Sequence, residues 1–229
     1  IALGGEGAPL VPAFHQALAK KGNAQAFLNL GGIANITVVA ANQPTIGYDI
    51  GPANVLLDAW VMKHQQKPYD DKGYWARQGR FNAKLLDTML SDDYFQRPAP
   101  KSTGREYFNE AWLNNYLTSV PAMLPQDVQT TLTHLTAEAV IQAVANHGKV
   151  PQLYVYGGGY HNDFLMRLIA KGLPDCQIQS TQVLGIPTQA MEGAAFAYLA
   201  WCRDQHLPGN VQSVTGAERP AVLGGVYAG

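Results

Sequence analysis

Two runs of glycine flanked by amide side chains carry the chemistry this sequence shows most openly. The first, Asn29-Leu30-Gly31-Gly32-Ile33-Ala34-Asn35, joins two stretches rich in strand-forming residues. Glycine has no Cβ, so successive backbone N–H groups can turn to one side and approach phosphate oxygens closely. Asn29 and Asn35 add amide donors at either end. An ordinary hairpin turn is the competing reading, because glycine pairs also close hairpins. The second run, Tyr154-Val155-Tyr156-Gly157-Gly158-Gly159-Tyr160-His161-Asn162, passes from an apolar strand into three glycines, with Asn162 placed to cap a helix. Three adjacent glycines cost backbone entropy, and a simple turn rarely needs more than one. A nucleotide base and ribose lying on bare backbone accounts for Gly157, Gly158 and Gly159 better than a tight turn does.

Other familiar chemistries are missing from the pattern. Neither cluster contains GxxxxGK[ST] or the full GxGxxG fingerprint, and HExxH and GxSxG do not occur. His134 and Glu138, four apart, read as a solvated helical pair rather than metal ligands. Cys176 and Cys202 form no CxxC pair, which favours buried thiols in a reducing, cytoplasmic setting. The 16 basic and 17 acidic residues are spread along the chain, so no basic stripe points to nucleic acid. No apolar run approaches the length of a bilayer-crossing helix, and no signal peptide is expected.

The elements that must hold these loops follow from periodicity and punctuation. Pro12 opens an amphipathic helix to about Lys21. Strands are expected at Ala26–Leu30, Asn35–Ala40 and Thr45–Asp49, and a helix from Pro52 to about His64. From about 65 to 105 the chain changes character, with Asp70-Asp71, Asp92-Asp93 and three prolines, and reads as an insertion with one short helix near Asn82–Leu90. Helices follow at about Glu106–Leu117 and Asp127–His147, then a strand at Leu153–Tyr156 and a helix at Asn162–Lys171. A strand at Gln177–Ser180 and a last helix over Thr188–Gln205 complete the order. A meander of three strands followed by βα units predicts an α/β fold: a mixed five-stranded sheet with helices on both faces, in the ribonuclease-H-like layout.

Five motifs in order resemble one family. Asn29–Thr37 (NLGGIANIT), Gly47–Asn54 (GYDIGPAN), Lys101–Glu106 (KSTGRE), Val155–Asn162 (VYGGGYHN) and Ala190–Ala195 (AMEGAA) look like anhydro-N-acetylmuramic acid kinase, and the likeness runs along nearly all 229 residues. The resemblance implies an actin-like ATPase and sugar kinase architecture, with two ribonuclease-H-like domains clasping ATP and Mg²⁺. It implies conversion of 1,6-anhydro-N-acetylmuramic acid, ATP and water to N-acetylmuramic acid 6-phosphate and ADP, in cell-wall recycling. On this likeness the loop from Asn29 to Asn35, with Gly31 and Gly32, is similar to the second phosphate motif. Gly157, Gly158, Gly159 and Asn162 look like the adenosine motif. Glu192 would face the muramoyl sugar, and Asp49 would be a cleft carboxylate. Ser102, Thr103 and Arg105 precede a helix and would bind an anion or cap that helix, with Arg105 the candidate cation for the sugar's lactyl carboxylate.

One departure shapes the expectation. The family pattern before the first helix starts with an aspartate, and the match here begins one position later, at Ile1-Ala2-Leu3-Gly4-Gly5-Glu6-Gly7-Ala8-Pro9. The base would stand just before Ile1, with the first phosphate loop further upstream. The chain is thus expected to be domain II, the C-terminal nucleotide-binding half of a two-domain kinase, inactive alone, with no metal ligands of its own. The partners implied are ATP, a small-molecule sugar and the missing N-terminal domain, with a homodimer left open and neither nucleic acid nor membrane expected.

Overall fold

Alternation of side chains along the first strand sets the layers. In β1 (Gln25–Leu30), Ala26, Leu28 and Leu30 enter one apolar core while Phe27 enters another, as a period of two requires. The computed structural model describes residues 2–5, 7–20 and 22–227. β1 pairs antiparallel with β2 (Ile33–Val39), and β2 antiparallel with β3 (Ile46–Pro52). On its other side β1 pairs parallel with β4 (Gln152–Tyr156), and β4 parallel with β5 (Gln177–Ser180). The order β3-β2-β1-β4-β5 is a mixed five-stranded sheet in the ribonuclease-H-like layout, as the element order predicts.

Helices cover both faces. On the Phe27 side, α1 (Val11–Leu18) supplies Phe14 and α8 (Met191–Asp204) supplies Met191 and Ala195, packed with Tyr154 and Tyr156. On the other side, α6 (Pro125–Ala145) presents Val140 and Val144, and α7 (Asp163–Gly172) presents Leu165 and Ile169. α6 starts at a proline, whose missing N–H is no loss in a first turn.

A third packed body stands beside the sheet. α2 (Asn54–Gln65), α3 (Ala83–Leu90), α4 (Asp93–Gln96) and α5 (Glu110–Leu117) share a core with α6, including Leu57, Trp60, Leu85, Met89, Tyr94, Phe108 and Trp112. Sequence reading expected one short helix between 65 and 105; the structure has two, plus 3-10 turns at Asp71–Gly73 and Ala76–Gln78. Aspartates organise this segment. Asp92 accepts hydrogen bonds from Tyr116 Oη (2.7 Å), Tyr107 Oη (2.8 Å), Trp112 Nε1 (2.9 Å) and the Tyr94 N–H (2.8 Å). Burial alone would raise its pKa, but these donors outweigh it and hold the carboxyl below the usual range. Asp70 likewise accepts from the N–H groups of Trp75 and Ala76, each at 2.8 Å.

Several boundaries move for local reasons. β2 starts at Ile33, not Asn35, because Ile33 pairs with Pro52. Pro52 therefore ends β3 rather than opening α2. α5 starts at Glu110, not Glu106, because Asn109 accepts from the Trp112 N–H at 3.0 Å and is the cap. α8 starts at Met191, not Thr188, because the Thr188 carbonyl is held by the Gly157 N–H (3.1 Å) and a turn closes from the Ala190 N–H to the Pro187 carbonyl (2.9 Å). The described part of the first helix ends at Leu18. Lys21, Ile1 and Glu6, on which sequence expectations also fell, lie outside the described residues.

Candidate functional site

The parallel pairing of β1 and β4 brings both glycine runs to one edge of the sheet. Asn29 lies opposite Tyr156 in register, so Gly31-Gly32 and Gly157–Gly159 leave neighbouring strands side by side at their carboxyl ends. That edge is where open α/β sheets present ligand crevices. Asn29 also pairs with Asn35 across the β1–β2 ladder, which places both amides on one face. The carbonyls of this first loop are occupied: Gly31 accepts from Asn54 N–H, and Gly32 from Ala53 and Val55 N–H, all at 3.0 Å, so the loop caps α2. The N–H groups of Gly31, Gly32, Gly158 and Gly159 make no hydrogen bond among the described residues. Four backbone donors thus stand unpaired at these two strand ends.

The three consecutive glycines serve different ends. Gly157 has φ +85°, and a Cβ there would stand 2.5 Å from Asn29 Oδ1 and 2.9 Å from the Leu30 carbonyl. A Cβ on Gly159 would stand 2.7 Å from Leu30 Cβ. Both are glycine because β1 passes too close. At Gly158 the nearest atom to such a Cβ is Asn54 Nδ2 at 3.8 Å, and the backbone is not left-handed. Nothing in the chain itself requires glycine there. The same holds at Gly32, where the nearest atoms are Arg105 Nε and Nη2 at 3.6 Å. Neither Gly31 nor Gly32 has positive φ, so the tight-turn reading of that pair lacks its usual cause.

Two cavities meet at Gly158 and Gln189. The larger, about 1120 Å³, lies between Gly158–Asn162 with the start of α7 and the segment from Tyr69 to Arg77. The smaller, about 500 Å³, lies between α1, the strand ends and the start of α8. Asn29, Gly31, Asn35, Asp49, Gly157, Gly158 and Glu192 line the smaller cavity; Gly158, Gly159 and Asn162 line the larger. Asn162 Oδ1 caps α7 by accepting from the Leu165 N–H at 3.0 Å, which leaves its amide NH₂ for the cavity. Gly32 and Arg105 line neither, but stand together beside the first loop.

The loop 101–105 does not cap a helix, as its sequence suggested. Ser102 Oγ and the Thr103 N–H both donate to Asp49 Oδ2, at 2.9 and 3.1 Å. The loop is tied to the end of β3, and α5 takes its cap from Asn109 instead. Among the described residues Asp49 Oδ1 accepts no hydrogen bond, and Arg105 is carried to the glycine turn, where its guanidinium makes no hydrogen bond or ion pair.

Sequence reasoning gave no role to three residues that the fold brings to these cavities. His15 is 1% exposed, stacks on Phe27 with ring centroids 4.6 Å apart, and shares a hydrogen bond of 2.8 Å between Nδ1 and Thr37 Oγ1. Burial pushes its pKa down to about 3, and Nε2 has no hydrogen-bond partner among the described residues. Tyr156 is buried in the floor of the smaller cavity, its pKa pushed up by burial and by the nearby Glu192 carboxylate. Asp58, on α2, lines the larger cavity. The spacing Asn54…Asp58 on one helical face, opposite a glycine run, was the available signal for Asp58; His15 in an apolar helix gave none.

No cluster of three or more His, Cys, Asp or Glu side chains suited to a metal occurs among the described residues, and no helix among them is long and apolar enough to cross a membrane. The sequence family described as anhydro-N-acetylmuramic acid kinase matches residues 1–229. Among solved structures, component A of (R)-2-hydroxyglutaryl-CoA dehydratase from Acidaminococcus fermentans is 15% identical, with TM-score 0.47 over 81% of this chain and 68% of that one. The activator of 2-hydroxyisocaproyl-CoA dehydratase from Clostridium difficile, solved with bound ADPNP, is 13% identical, with TM-score 0.43 over 82% and 67%. Xylulose kinase from Rhodospirillum rubrum is 15% identical, with TM-score 0.47 over 74% of this chain and 37% of that one.

Proposed function

The chain belongs to the anhydro-N-acetylmuramic acid kinase family, and from that premise we propose that it is the nucleotide-binding domain II of a cytoplasmic ATP-dependent kinase acting on 1,6-anhydro-N-acetylmuramic acid. The observation that carries this reading is the junction of two cavities at Gly158, whose walls include N–H groups of Gly31, Gly158 and Gly159 that are unpaired among the described residues. The nucleoside lies in the larger cavity, over Gly158 and Gly159. The phosphates cross the junction toward Gly31 and Gly32, with Asn29, Asn35 and Arg105 as added donors. Backbone donors fixed by two strand ends need no reorganisation when a phosphoryl oxygen gains charge.

The smaller cavity then receives the sugar. Glu192, in the first turn of α8, accepts hydrogen bonds from sugar hydroxyl or amide groups beside Tyr156. Arg105, seated against Gly32, serves the phosphates in this arrangement, rather than the lactyl carboxylate first assigned to it from sequence. A bound magnesium ion would neutralise charge on the phosphates, and such an ion is commonly held by one or two carboxylates with water and phosphate oxygens. Asp49, whose Oδ1 accepts no hydrogen bond among the described residues, is the cavity carboxylate suited to meet its water shell. The role of water-activating base is assigned to neither Asp49 nor Glu192.

Calorimetry tests the reading in two steps. ADP should bind the chain, and 1,6-anhydro-N-acetylmuramic acid should bind the ADP complex. Glu192→Gln should weaken the sugar step about tenfold while leaving ADP affinity and melting temperature unchanged, as expected for one lost charge-assisted hydrogen bond. Equal sugar affinity in that variant would remove Glu192 from the sugar site.

A further inference from the structure

The larger cavity contains a carboxylate with nothing to bind. Asp58 is half-buried on α2, and among the described residues it makes no hydrogen bond and no ion pair. Charged side chains do line the same cavity, including Lys72, Arg77 and Arg167. None compensates it: burial alone pushes the Asp58 pKa up to about 6, with no opposing charge lowering it. A carboxylate kept this way in a soluble fold costs stability, so its presence needs a partner that arrives from outside.

Its place along α2 says which part of a ligand it meets. Four residues earlier, Asn54 Nδ2 donates to the Leu30 carbonyl at 3.0 Å and lies 3.8 Å from the point where a Cβ on Gly158 would stand. Residues four apart share a helical face, and the rise between them is about 6 Å. Asp58 therefore sits one turn beyond the junction of the two cavities, on the side of the larger one. That step is comparable to the reach from a nucleotide's first phosphate to the two hydroxyls of its ribose. Met166, Ala170 and Ile178 add apolar surface to the lining of the same cavity, which suits the flat base. A vicinal diol offers two donors to the two oxygens of one carboxylate, the pairing acidic residues make with ribose in other nucleotide folds.

We propose that Asp58 is the ribose-reading residue of this nucleotide site, accepting hydrogen bonds from the 2′ and 3′ hydroxyls. The proposal rests on the nucleotide reading of the larger cavity given above. It makes the site selective for ribonucleotides through α2, an element that belongs to neither glycine loop.

Titration of the chain with ADP and with 2′,3′-dideoxy-ADP separates the possibilities. The unmodified chain should prefer ADP by about tenfold or more, the usual effect of hydrogen bonds to a charged group. Asp58→Asn, nearly isosteric and without the buried charge, should fold at least as stably and should lose that preference, binding both nucleotides equally and weakly. Asp58→Ala should behave the same way, which excludes an artefact of the new amide. An undiminished preference for ADP in both variants would overturn the proposal and leave the nucleotide site standing. So would a loss confined to the contrast between ADP and inosine diphosphate, which would make Asp58 a reader of the base. No binding of ADP by the unmodified chain at millimolar concentration would instead overturn the nucleotide reading itself, and the proposal with it.

Discussion

The two glycine loops at the edge of the sheet look alike in sequence and differ in what the chain demands of them. In the loop after β4, Gly157 and Gly159 are forced by the close passage of β1, and only Gly158 is free. In the loop after β1, nothing crowds Gly32, neither glycine is left-handed, and the loop carbonyls are already employed in capping α2. A glycine that the fold requires and a glycine that a ligand requires are therefore separable residue by residue. Substitution should show the first kind as lost stability and the second as lost binding.

The largest effect is expected at Gly157. Alanine there meets both a left-handed φ and contacts of 2.5–2.9 Å with Asn29 and Leu30, so unfolding free energy should drop by roughly 2–5 kcal/mol, read from the urea midpoint. Gly159→Ala meets Leu30 Cβ at 2.7 Å without the left-handed φ, and should cost roughly 1–3 kcal/mol in the same measurement. If both proved as mild as changes in open space, the division between the loops would collapse.

A third effect is specific to the wall under the first loop. Burial holds the His15 pKa near 3 in the folded chain, below its ordinary value of 6.5, so the unfolded chain binds the proton first as pH falls. Stability should therefore fall below pH 6.5 by up to roughly 1.4 kcal/mol per pH unit until the folded pKa is approached. His15→Gln should flatten that slope in thermal melts between pH 6.5 and 5. A slope identical in both proteins would assign the acid sensitivity elsewhere. The smallest effect on folding is expected at Gly32→Ala, within about 0.5 kcal/mol; affinity for ADP should nevertheless fall while affinity for adenosine holds.

Much of this was legible in the sequence, for identifiable reasons. The meander and the βα units follow from alternation in strands such as Gln25–Leu30 and from the proline that opens α6. Asn29, Gly31, Asn35, Asp49 and Glu192 could be named because loop chemistry and motif order survive without coordinates, and the fold brings all five to one cavity. What escaped were partnerships between distant segments. Asp92 reads as a surface acid until Tyr107, Trp112 and Tyr116 close on it. Ser102 and Thr103 read as helix caps until β3 delivers Asp49 to them. Three consecutive glycines read as one motif, and only the passage of β1 shows that two of them are about packing.

Gly158 is where the central claim is most exposed. A side chain there has open space in the empty protein, its nearest neighbour being Asn54 Nδ2 at 3.8 Å, yet it would fill the junction through which the nucleotide is taken to run. Calorimetric titration of Gly158→Val with ADP, alongside its thermal melt, is the direct measurement. The account predicts a melting temperature unchanged from the unmodified chain and an ADP affinity at least about tenfold weaker, equivalent to roughly 1.4 kcal/mol. An unaltered ADP affinity in a folded Gly158→Val chain would contradict it.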